Sequence, residues 1–364
     1  MYRKIMGFLE AWKENEHRKP LILQGARQVG KTYSILEFGR IHYENVAYFN
    51  FETNPKLNET FEEKISPDYL IPILSHIAGQ TIVKEKTLIV FDEVQLCERA
   101  LTSLKYFCED APDYHIIVAG SLLGVAVNRA KFSFPVGKVD MKTLYPMDME
   151  EFMIAVGEDE LVEQIKKCFE TNRPMPSALH DAAMQLYRQY LVVGGMPECV
   201  MQFVQTGDYI LIRHTQDTIL TSYLNDMSKY NNLNEIKKTR LAYDNITVQL
   251  SKKNTRFQYK LIKKGGRASE FENAIEWLCL SGIVSQVYRV EQIKKPLENY
   301  RDIDAFKIYV SDLGLLCAKK DLAANDILYM VEELNDFKGG MTENYVNVQL
   351  AINGYNTYYW ESER

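Results

Sequence analysis

The stretch LILQGARQVGKTYSILEF, residues 21 to 38, contains the pattern G-x-x-x-x-G-K-T from Gly25 to Thr32. An apolar run long enough for a buried strand precedes the pattern, and helical periodicity resumes at Lys31. The two glycines allow the backbone to curl so that successive N–H groups point inward, at the positive end of the helix dipole, where phosphate oxygens bind. The stretch therefore predicts a phosphate-binding loop between a strand and a helix.

Individual residues of this loop have distinct expected roles. We expect Lys31 to bridge the β- and γ-phosphates of a nucleoside triphosphate and the Thr32 hydroxyl to ligate Mg²⁺. The residues expected to contact the nucleotide are Gly25, Ala26, Arg27, Gln28, Val29, Gly30, Lys31, Thr32 and Tyr33. The alternative is a glycine turn with a chance G-K-T, which the flanking strand and helix patterns argue against.

A second apolar run, TLIVFDEVQ at residues 87 to 95, ends in two carboxylates, Asp92 and Glu93. Open α/β sheets bind their ligands at the carboxyl ends of their strands. Asp92 is placed to hold Mg²⁺, commonly through its water shell, and Glu93 to orient or deprotonate the water that attacks the γ-phosphate. The alternative is an ordinary strand end with exposed acids, which the phosphate loop upstream argues against.

A third apolar run, YHIIVAGSLLG at residues 114 to 124, contains Ser121 where the strand pattern ends. If this strand lies between the two previous ones, Ser121 is placed to contact the γ-phosphate or the attacking water and to report which nucleotide is bound. A plain helix cap is the alternative, since a serine before LLGVA is typical of an N-cap.

These motifs, with FPVGKVDMKTLYPMDMEEF and YLVVGGMPECV, together resemble the bacterial and archaeal AAA-type ATPases that carry a C-terminal domain of unknown function. The resemblance covers nearly the whole chain. It implies ATP and Mg²⁺ as ligands, and an α/β P-loop NTPase fold whose parallel sheet places the Ser121 strand between the other two. The family often has an arginine where this chain has Lys138, and a lysine lacks the planar fork of an arginine finger.

The segment GGMPE follows a helical pattern and precedes another. Gly194 and Gly195 are expected to end the first helix, and Pro197 suits the first turn of the second. The segment is also similar to the G-x-P motif by which signal-transducing ATPases fold a helical lid over the nucleotide. That similarity implies that Gly195 and Pro197 contact the bound nucleotide and couple its state to the lid.

Residues 235 to 267 hold ten lysines and arginines against two acids, although the chain has a net charge of −6. The helix, short helix, longer helix and strands of this region predict a winged helix-turn-helix. Contacts to DNA phosphates are expected from Lys252, Lys253, Lys263, Lys264 and Arg267. The helix that would enter the major groove carries Glu270, Glu272 and Glu276 and no basic residue, which favours non-specific DNA binding over base recognition. The alternative is a protein-interaction module whose basic face is solvated.

The C-terminal residues predict a turn at DFKGG, a helix from about Thr342 and a strand from Tyr355. The resemblance implies the beginning of a restriction-endonuclease-like fold that includes Glu343, whose Asp and Glu-x-Lys partners would follow Arg364. One glutamate cannot hold Mg²⁺ and activate water, so we expect no nuclease activity from this chain. The alternative role of Glu343 is a favourable charge at the N-terminal end of its helix.

The expected organisation is a P-loop ATPase domain at 1–172, a helical lid at 173–234, a winged-helix-like module at 235–312 and a partial α/β region at 313–364. The N-terminus predicts an amphipathic helix and not a signal peptide, and no run of 18 uncharged apolar residues occurs, so a cytoplasmic protein without membrane contact is expected. The favoured function is an ATP-hydrolysing regulator of DNA or protein partners, with an oligomer left open. The alternative is a nucleotide-dependent switch with little turnover.

Overall fold

The computed structural model describes residues 1–121, 134–230, 233–250 and 256–362, without the side chains of 228–230. Lys252 and Lys253 therefore lie outside the described residues. The chain forms two compact units, which we describe separately. The N-terminal unit is Arg3–Leu144, and the C-terminal unit is Tyr145–Arg364 with Met1–Tyr2.

The N-terminal unit is a parallel sheet with helices. Its strands are β1 (Leu21–Gly25), β2 (Asn45–Asn50), β3 (Thr87–Asp92), β4 (His115–Ser121) and β5 (Asp140–Thr143). Its described helices are α1 (Ile5–Glu14), α2 (Lys31–His42), α3 (Leu57–Glu63), α4 (Pro67–Ala78), α5 (Glu98–Asp110) and a 3-10 helix, Val94–Leu96. The strand order is β2-β3-β4-β1-β5, and every pairing is parallel. The α/β parallel-sheet prediction is confirmed, as is the position of β4 between β1 and β3.

Burial on both faces explains why β3 and β4 read as continuous apolar runs in the sequence. Every residue of β3 is buried, and so are the first six residues of β4. Phe91 of β3 meets Phe61 of α3 edge to face, with ring centroids 5.6 Å apart. This core fixes the carboxyl ends of β1, β3 and β4 at one edge of the sheet, where Gly25 pairs directly with Ser121.

The C-terminal unit is mostly helical. Its described helices are α6 (Met149–Ala155), α7 (Asp159–Glu170), α8 (Ser177–Val193), α9 (Pro197–Thr206), α10 (Tyr209–Tyr230), α11 (Leu233–Leu250), α12 (Tyr259–Ile262), α13 (Ala268–Leu280), α14 (Leu313–Lys319), α15 (Ala324–Leu328) and α16 (Asn335–Ile352), with 3-10 helices at Leu297–Tyr300 and Glu332–Leu334. Its described strands are β6 (Val284–Val290), β7 (Arg301–Val310) and β8 (Tyr358–Tyr359). They form a sheet of order β7-β6-β8, antiparallel between β6 and β7 and parallel between β6 and β8.

Helix α16 begins at Asn335, so the predicted turn at DFKGG and the helix start near Thr342 are wrong. Gly339 and Gly340 lie inside the helix, and glycine is required at position 340 because a Cβ there would lie 2.2 Å from the carbonyl oxygen of Leu250. Glu343 consequently lies in the middle of α16, where its carboxylate pairs with the Lys307 ammonium at 2.6 Å. The interpretation of Glu343 as a charge at the helix N-terminus is therefore also wrong.

Within the described part of the chain, no helix is both long enough and apolar enough to cross a membrane.

Candidate nucleotide-binding site

The phosphate loop leaves β1 at Gly25 and enters α2 at Lys31. Gly25 is required by a close approach, because a Cβ there would lie 2.2 Å from the carbonyl oxygen of Leu144. Gly30 is required by its conformation, because its φ of 88° lies in the left-handed region that favours glycine. The two glycines of the pattern therefore serve different purposes, and both shape the turn into the helix.

The Lys31 side chain folds back over the loop. Its ammonium donates hydrogen bonds to the carbonyl oxygens of Gly25 at 3.1 Å and Ala26 at 2.8 Å. Burial lowers the pKa of Lys31 to about 8, while Glu93 and Asp92 raise it in part. The charged form of a poorly solvated ammonium is stabilised when an anion binds beside it. Lys31 is therefore suited to bind a phosphate.

Asp92 collects hydrogen bonds from three elements. Its Oδ2 accepts from the Thr32 hydroxyl at 2.9 Å and from the Tyr48 hydroxyl at 2.7 Å, and its Oδ1 accepts from the Glu93 backbone N–H at 2.9 Å. The carboxylate is almost fully buried. The structure thus brings together Thr32 and Asp92, the two expected Mg²⁺ ligands. A hydroxyl and a carboxylate oxygen are the hard donors that Mg²⁺ prefers, so the residues fit the ion.

Glu93 is the N-cap residue of the 3-10 helix after β3, and its backbone lies in the left-handed region, at φ 53° and ψ 37°. This conformation is uncommon for a residue with a side chain and stores about 1 to 3 kcal/mol of strain. The half-buried Glu93 carboxylate accepts a hydrogen bond from the Gln95 side-chain amide. Strain of this kind is typical of functional positions, where the surrounding structure holds a residue in place.

Ser121 ends β4 beside Gly25 and is half-buried. Residues 122–133 lie outside the described residues, so its alternative role as a helix cap stays untested. Tyr33, on the first turn of α2, is 59% exposed. Its contact with a nucleotide stays a prediction.

Two residues of this site were not found from the sequence, Tyr48 and Asn50 on β2. The Tyr48 hydroxyl donates to Asp92 and accepts from the Asn50 side-chain amide at 3.1 Å. Burial raises the pKa of Tyr48 to about 12, so the hydroxyl keeps its proton and remains a donor at neutral pH. These two residues are recognised only from the pairing of β2 with β3, which sets Asn50 opposite Asp92. The sequence does not reveal this pairing.

The Tyr48→Phe variant is expected to need about 10-fold more Mg²⁺ for half-maximal binding of an ATP analogue. The reason is that the loss of the 2.7 Å hydrogen bond leaves the Asp92 carboxylate less firmly oriented. A Mg²⁺ titration with a fluorescent analogue measures this midpoint. The matched control is Tyr69→Phe, which removes a tyrosine–carboxylate hydrogen bond to Glu63 in the same unit. Equal midpoints for the parent and the Tyr48→Phe variant would contradict this role.

In the C-terminal unit, the GGMPE segment forms the predicted break between two helices. Helix α8 ends at Val193, and α9 begins at Pro197. Gly194 has a φ of 76°, and the Gly195 N–H donates to the Asp312 carboxylate at 2.6 Å. Contact of Gly195 or Pro197 with a nucleotide stays a prediction.

Three of the residues expected to contact DNA phosphates are described, and they lie before helix α13: Lys263, Lys264 and Arg267. Lys264 and Arg267 are exposed, whereas the Lys263 ammonium pairs with Glu270 at 3.1 Å. Helix α13 buries its apolar side, and its exposed side carries Glu272 and Glu276. The face that would meet a DNA groove is therefore acidic.

Residues 17–153 match the family model described as AAA domain, and residues 184–326 match the model described as Domain of unknown function (DUF8612). No curated protein matched the sequence.

Several solved structures resemble the chain. The Walker-type ATPase of Pyrococcus abyssi is 14% identical, with 88% of this chain and 95% of that chain covered and a TM-score of 0.53. The RuvB Holliday junction branch migration motor of Thermotoga maritima is 13% identical, with 79% and 88% covered and a TM-score of 0.32. The ORC1 protein of Aeropyrum pernix in complex with DNA is 12% identical, with 88% and 91% covered and a TM-score of 0.27.

The likeness to the Pyrococcus protein is one of fold, because 14% identity is too low to transfer more. We draw nothing from the other two, since their TM-scores lie below 0.5. The family matches agree with the parallel sheet, the glycine loop and the carboxylates at its edge. Residues 17–153 therefore match the AAA domain family and have an α/β P-loop fold, and residues 184–326 match a family described as a domain of unknown function.

Proposed function

We propose that the chain binds ATP with Mg²⁺, hydrolyses it, and uses the state of the nucleotide to control its C-terminal unit. The observation that carries this proposal is the convergence of Lys31, Thr32, Asp92 and Glu93 at the carboxyl edge of a parallel sheet, although 60 residues separate Thr32 from Asp92. The AAA family match supports ATP as the nucleotide.

The residues divide the work between binding and hydrolysis. The Lys31 ammonium and the N–H groups of its loop bind the phosphates, and Thr32 and Asp92 hold Mg²⁺. When bound, Mg²⁺ neutralises charge on the phosphates that develops during hydrolysis. Glu93 orients or deprotonates the attacking water, and Ser121 contacts the γ-phosphate or that water.

The alternative is a nucleotide-dependent switch with little turnover. Lys138 favours it, because this residue occupies the place where related ATPases often carry arginine. Its ammonium pairs with Glu109 of α5 at 2.9 Å. A lysine held in this way cannot act as a bidentate arginine finger.

Isothermal titration with Mg²⁺-ATP, followed by a phosphate-release assay, tests the proposal. We expect one nucleotide per chain and steady phosphate release that requires Mg²⁺. Binding of the nucleotide without measurable release of phosphate would favour the switch. If the chain binds no nucleotide, both the ATPase and the switch are excluded.

We infer that the segment from Gly194 to Pro197 acts as the nucleotide-sensing part of a lid. Its backbone is buried at both glycines, and Pro197 is half-buried at the start of α9. A segment at a helix start can shift with small changes in backbone angles, which is how lids respond to ligands.

The Pro197→Ala variant is expected to change ATP affinity by about 5-fold while leaving the melting temperature nearly unchanged. Alanine is tolerated at the first helical position, so the helix itself persists. The matched control is Pro67→Ala, which replaces the corresponding proline at the start of α4. Titration calorimetry measures the affinity, and the same value for the parent and the Pro197→Ala variant would reject the contact.

The second proposed activity is non-specific DNA binding by the C-terminal unit. Helices α11, α12 and α13 followed by the β6–β7 hairpin have the order of a winged helix-turn-helix, which supports this activity. Exposed Lys264 and Arg267 supply positive charge, while Glu272 and Glu276 disfavour base contacts. Contact with the phosphate backbone alone is consistent with both features.

A salt series of DNA binding tests this activity. Replacing Lys264 and Arg267 by glutamate should lower the slope of log affinity against log salt by about 2, since each phosphate contact contributes about 0.9. The control replaces exposed Lys56 and Lys64 of the N-terminal unit in the same way. If the affinity for DNA does not fall as the salt concentration rises, contacts with DNA phosphates are excluded. The remaining interpretation of this region is then a protein-interaction module.

A further inference from the structure

A buried carboxylate, Asp312, joins two separate segments of the C-terminal unit. Its Oδ2 accepts from the Gly195 N–H at 2.6 Å, and its Oδ1 accepts from the Leu315 N–H at 2.8 Å in the first turn of α14. The backbone N–H groups of Gly314 and Met196 also favour the charged form of this carboxyl and lower its pKa. Asp312 is thus the N-cap of α14 and, at the same time, an anchor for the segment between α8 and α9.

The backbones of the two segments are in direct contact around this carboxylate. A Cβ on Gly194 would lie 2.3 Å from Asp312 Oδ1, and a Cβ on Gly314 would lie 2.4 Å from the Val193 carbonyl oxygen. The Gln216 side-chain amide of α10 donates to the same Val193 oxygen at 3.1 Å. Gly194 and Gly314 therefore allow the two backbones to approach more closely than residues with side chains would.

The connection continues on both sides of Asp312. On one side, the Gly195 carbonyl accepts from the Met147 N–H at 2.7 Å. On the other side, Asp312 follows β7 by two residues, and the Asn344 side chain of α16 both accepts from Val310 N–H and donates to Val310 C=O at 2.8 Å. Hydrogen-bonded structure therefore extends from the segment between α8 and α9 into β7 and α16.

The charge of Asp312 is met by backbone N–H groups. Burial raises the pKa of Asp312 to about 6, and the surrounding N–H groups hold it below the value that burial alone would give. Both carboxyl oxygens accept from backbone N–H groups, an arrangement that fits the ionised carboxylate. Nearby Tyr190, Tyr223 and Cys199 have pKa values raised by burial, so they stay neutral.

We propose that Asp312 is a positioning residue that couples the segment Gly194 to Pro197 to helix α14 and strand β7. Both segments bind the same carboxylate, so a nucleotide-driven shift of the first displaces the second. This inference rests on the proposed function, in which that segment responds to the nucleotide. It supplies the physical link by which the response reaches the elements of the winged-helix-like region.

The test is hydrogen exchange of the full chain, measured by mass spectrometry with and without Mg²⁺ and a non-hydrolysable ATP analogue. In the parent, we expect the analogue to change exchange in residues 194–200 and in α14, with the same midpoint concentration. In the Asp312→Asn variant, we expect the change in 194–200 to remain and the change in α14 to be lost. Asparagine keeps the oxygen that caps α14 but places an NH₂ group toward the Gly195 N–H.

Two further variants separate the effect of the hydrogen bond between Asp312 and Gly195 from the effect of capping α14. One changes Asp312 itself, and the other is a control at a different helix cap. Asp312→Ser keeps a cap for α14 without a group that reaches Gly195, and it should behave as Asp312→Asn does. The matched control is Asp208→Asn, whose exposed carboxylate accepts from the N–H groups of Ile210 and Leu211 at the start of α10. This control should retain both nucleotide-dependent changes.

Each outcome is decisive. No change in either segment of the parent would overturn the proposed nucleotide sensing. A change in 194–200 alone, or changes with different midpoints, would overturn the coupling and leave the sensing intact. Because the midpoints are measured on the parent, different midpoints would overturn the coupling even if the Asp312 variants unfold. Retention of the α14 change in a folded Asp312→Asn variant would also overturn the coupling.

Discussion

Replacing Lys31 by methionine is expected to lower the affinity for Mg²⁺-ATP by about 100-fold, equivalent to about 3 kcal/mol. Methionine has a similar length and no charge, so the variant removes the cation that lies over the loop at 2.8 Å from the Ala26 carbonyl. The loss is large because Lys31 is partly buried, where its attraction to phosphate is screened less than in water. Titration calorimetry measures the affinity directly.

The matched control is Lys13→Met, which removes an ammonium that donates to the His42 carbonyl outside the phosphate loop. Melting curves of both variants separate a binding effect from loss of the fold. If the Lys31→Met variant remains folded and binds ATP as the parent does, the loop is not the nucleotide site and the proposed function loses its basis.

Replacing Glu93 by glutamine is expected to slow phosphate release by about 100- to 1000-fold while nucleotide affinity stays within about 3-fold. Glutamine has nearly the same shape and can keep a hydrogen bond to Gln95, but it cannot accept a proton from water. The strained backbone at φ 53° is set by the loop and not by the side-chain charge, so the amide should occupy the same place.

Single-turnover phosphate release distinguishes the two forms of the proposed function. A parent rate that falls in the Glu93→Gln variant identifies an ATPase in which this carboxylate acts on water. A slow parent rate that the change leaves unaltered favours the switch. The control is Glu98→Gln on the first turn of α5, which should leave the rate of the parent unchanged.

The sequence located the glycine loop and the strand end of the candidate site because these motifs are local. The glycine loop and the pair Asp92 and Glu93 each lie on one short segment, and the resemblance of the whole set to AAA-type ATPases supplied the strand order. Tyr48 and Asn50 could not be found in this way. Their roles depend on the pairing of β2 with β3, which joins segments far apart in the chain.

The C-terminal unit was harder to predict for two physical reasons. Glycines usually mark turns, but Gly340 lies within α16, where glycine allows a close approach to the Leu250 carbonyl oxygen that no local pattern reveals. Asp312 looks like an ordinary helix cap in the sequence. Its second partner, Gly195, is 117 residues away, so only the folded chain shows that one carboxylate serves both.

The central position of β4 limits how the nucleotide site can respond. Strand β4 is hydrogen-bonded to β1 on one side and to β3 on the other. The strand that carries Gly25 and the strand that carries Asp92 are therefore held in one continuous sheet. Separating these two strands would break the backbone hydrogen bonds of β4, so we expect any response to a ligand to occur in the loops that follow the strands rather than in the sheet.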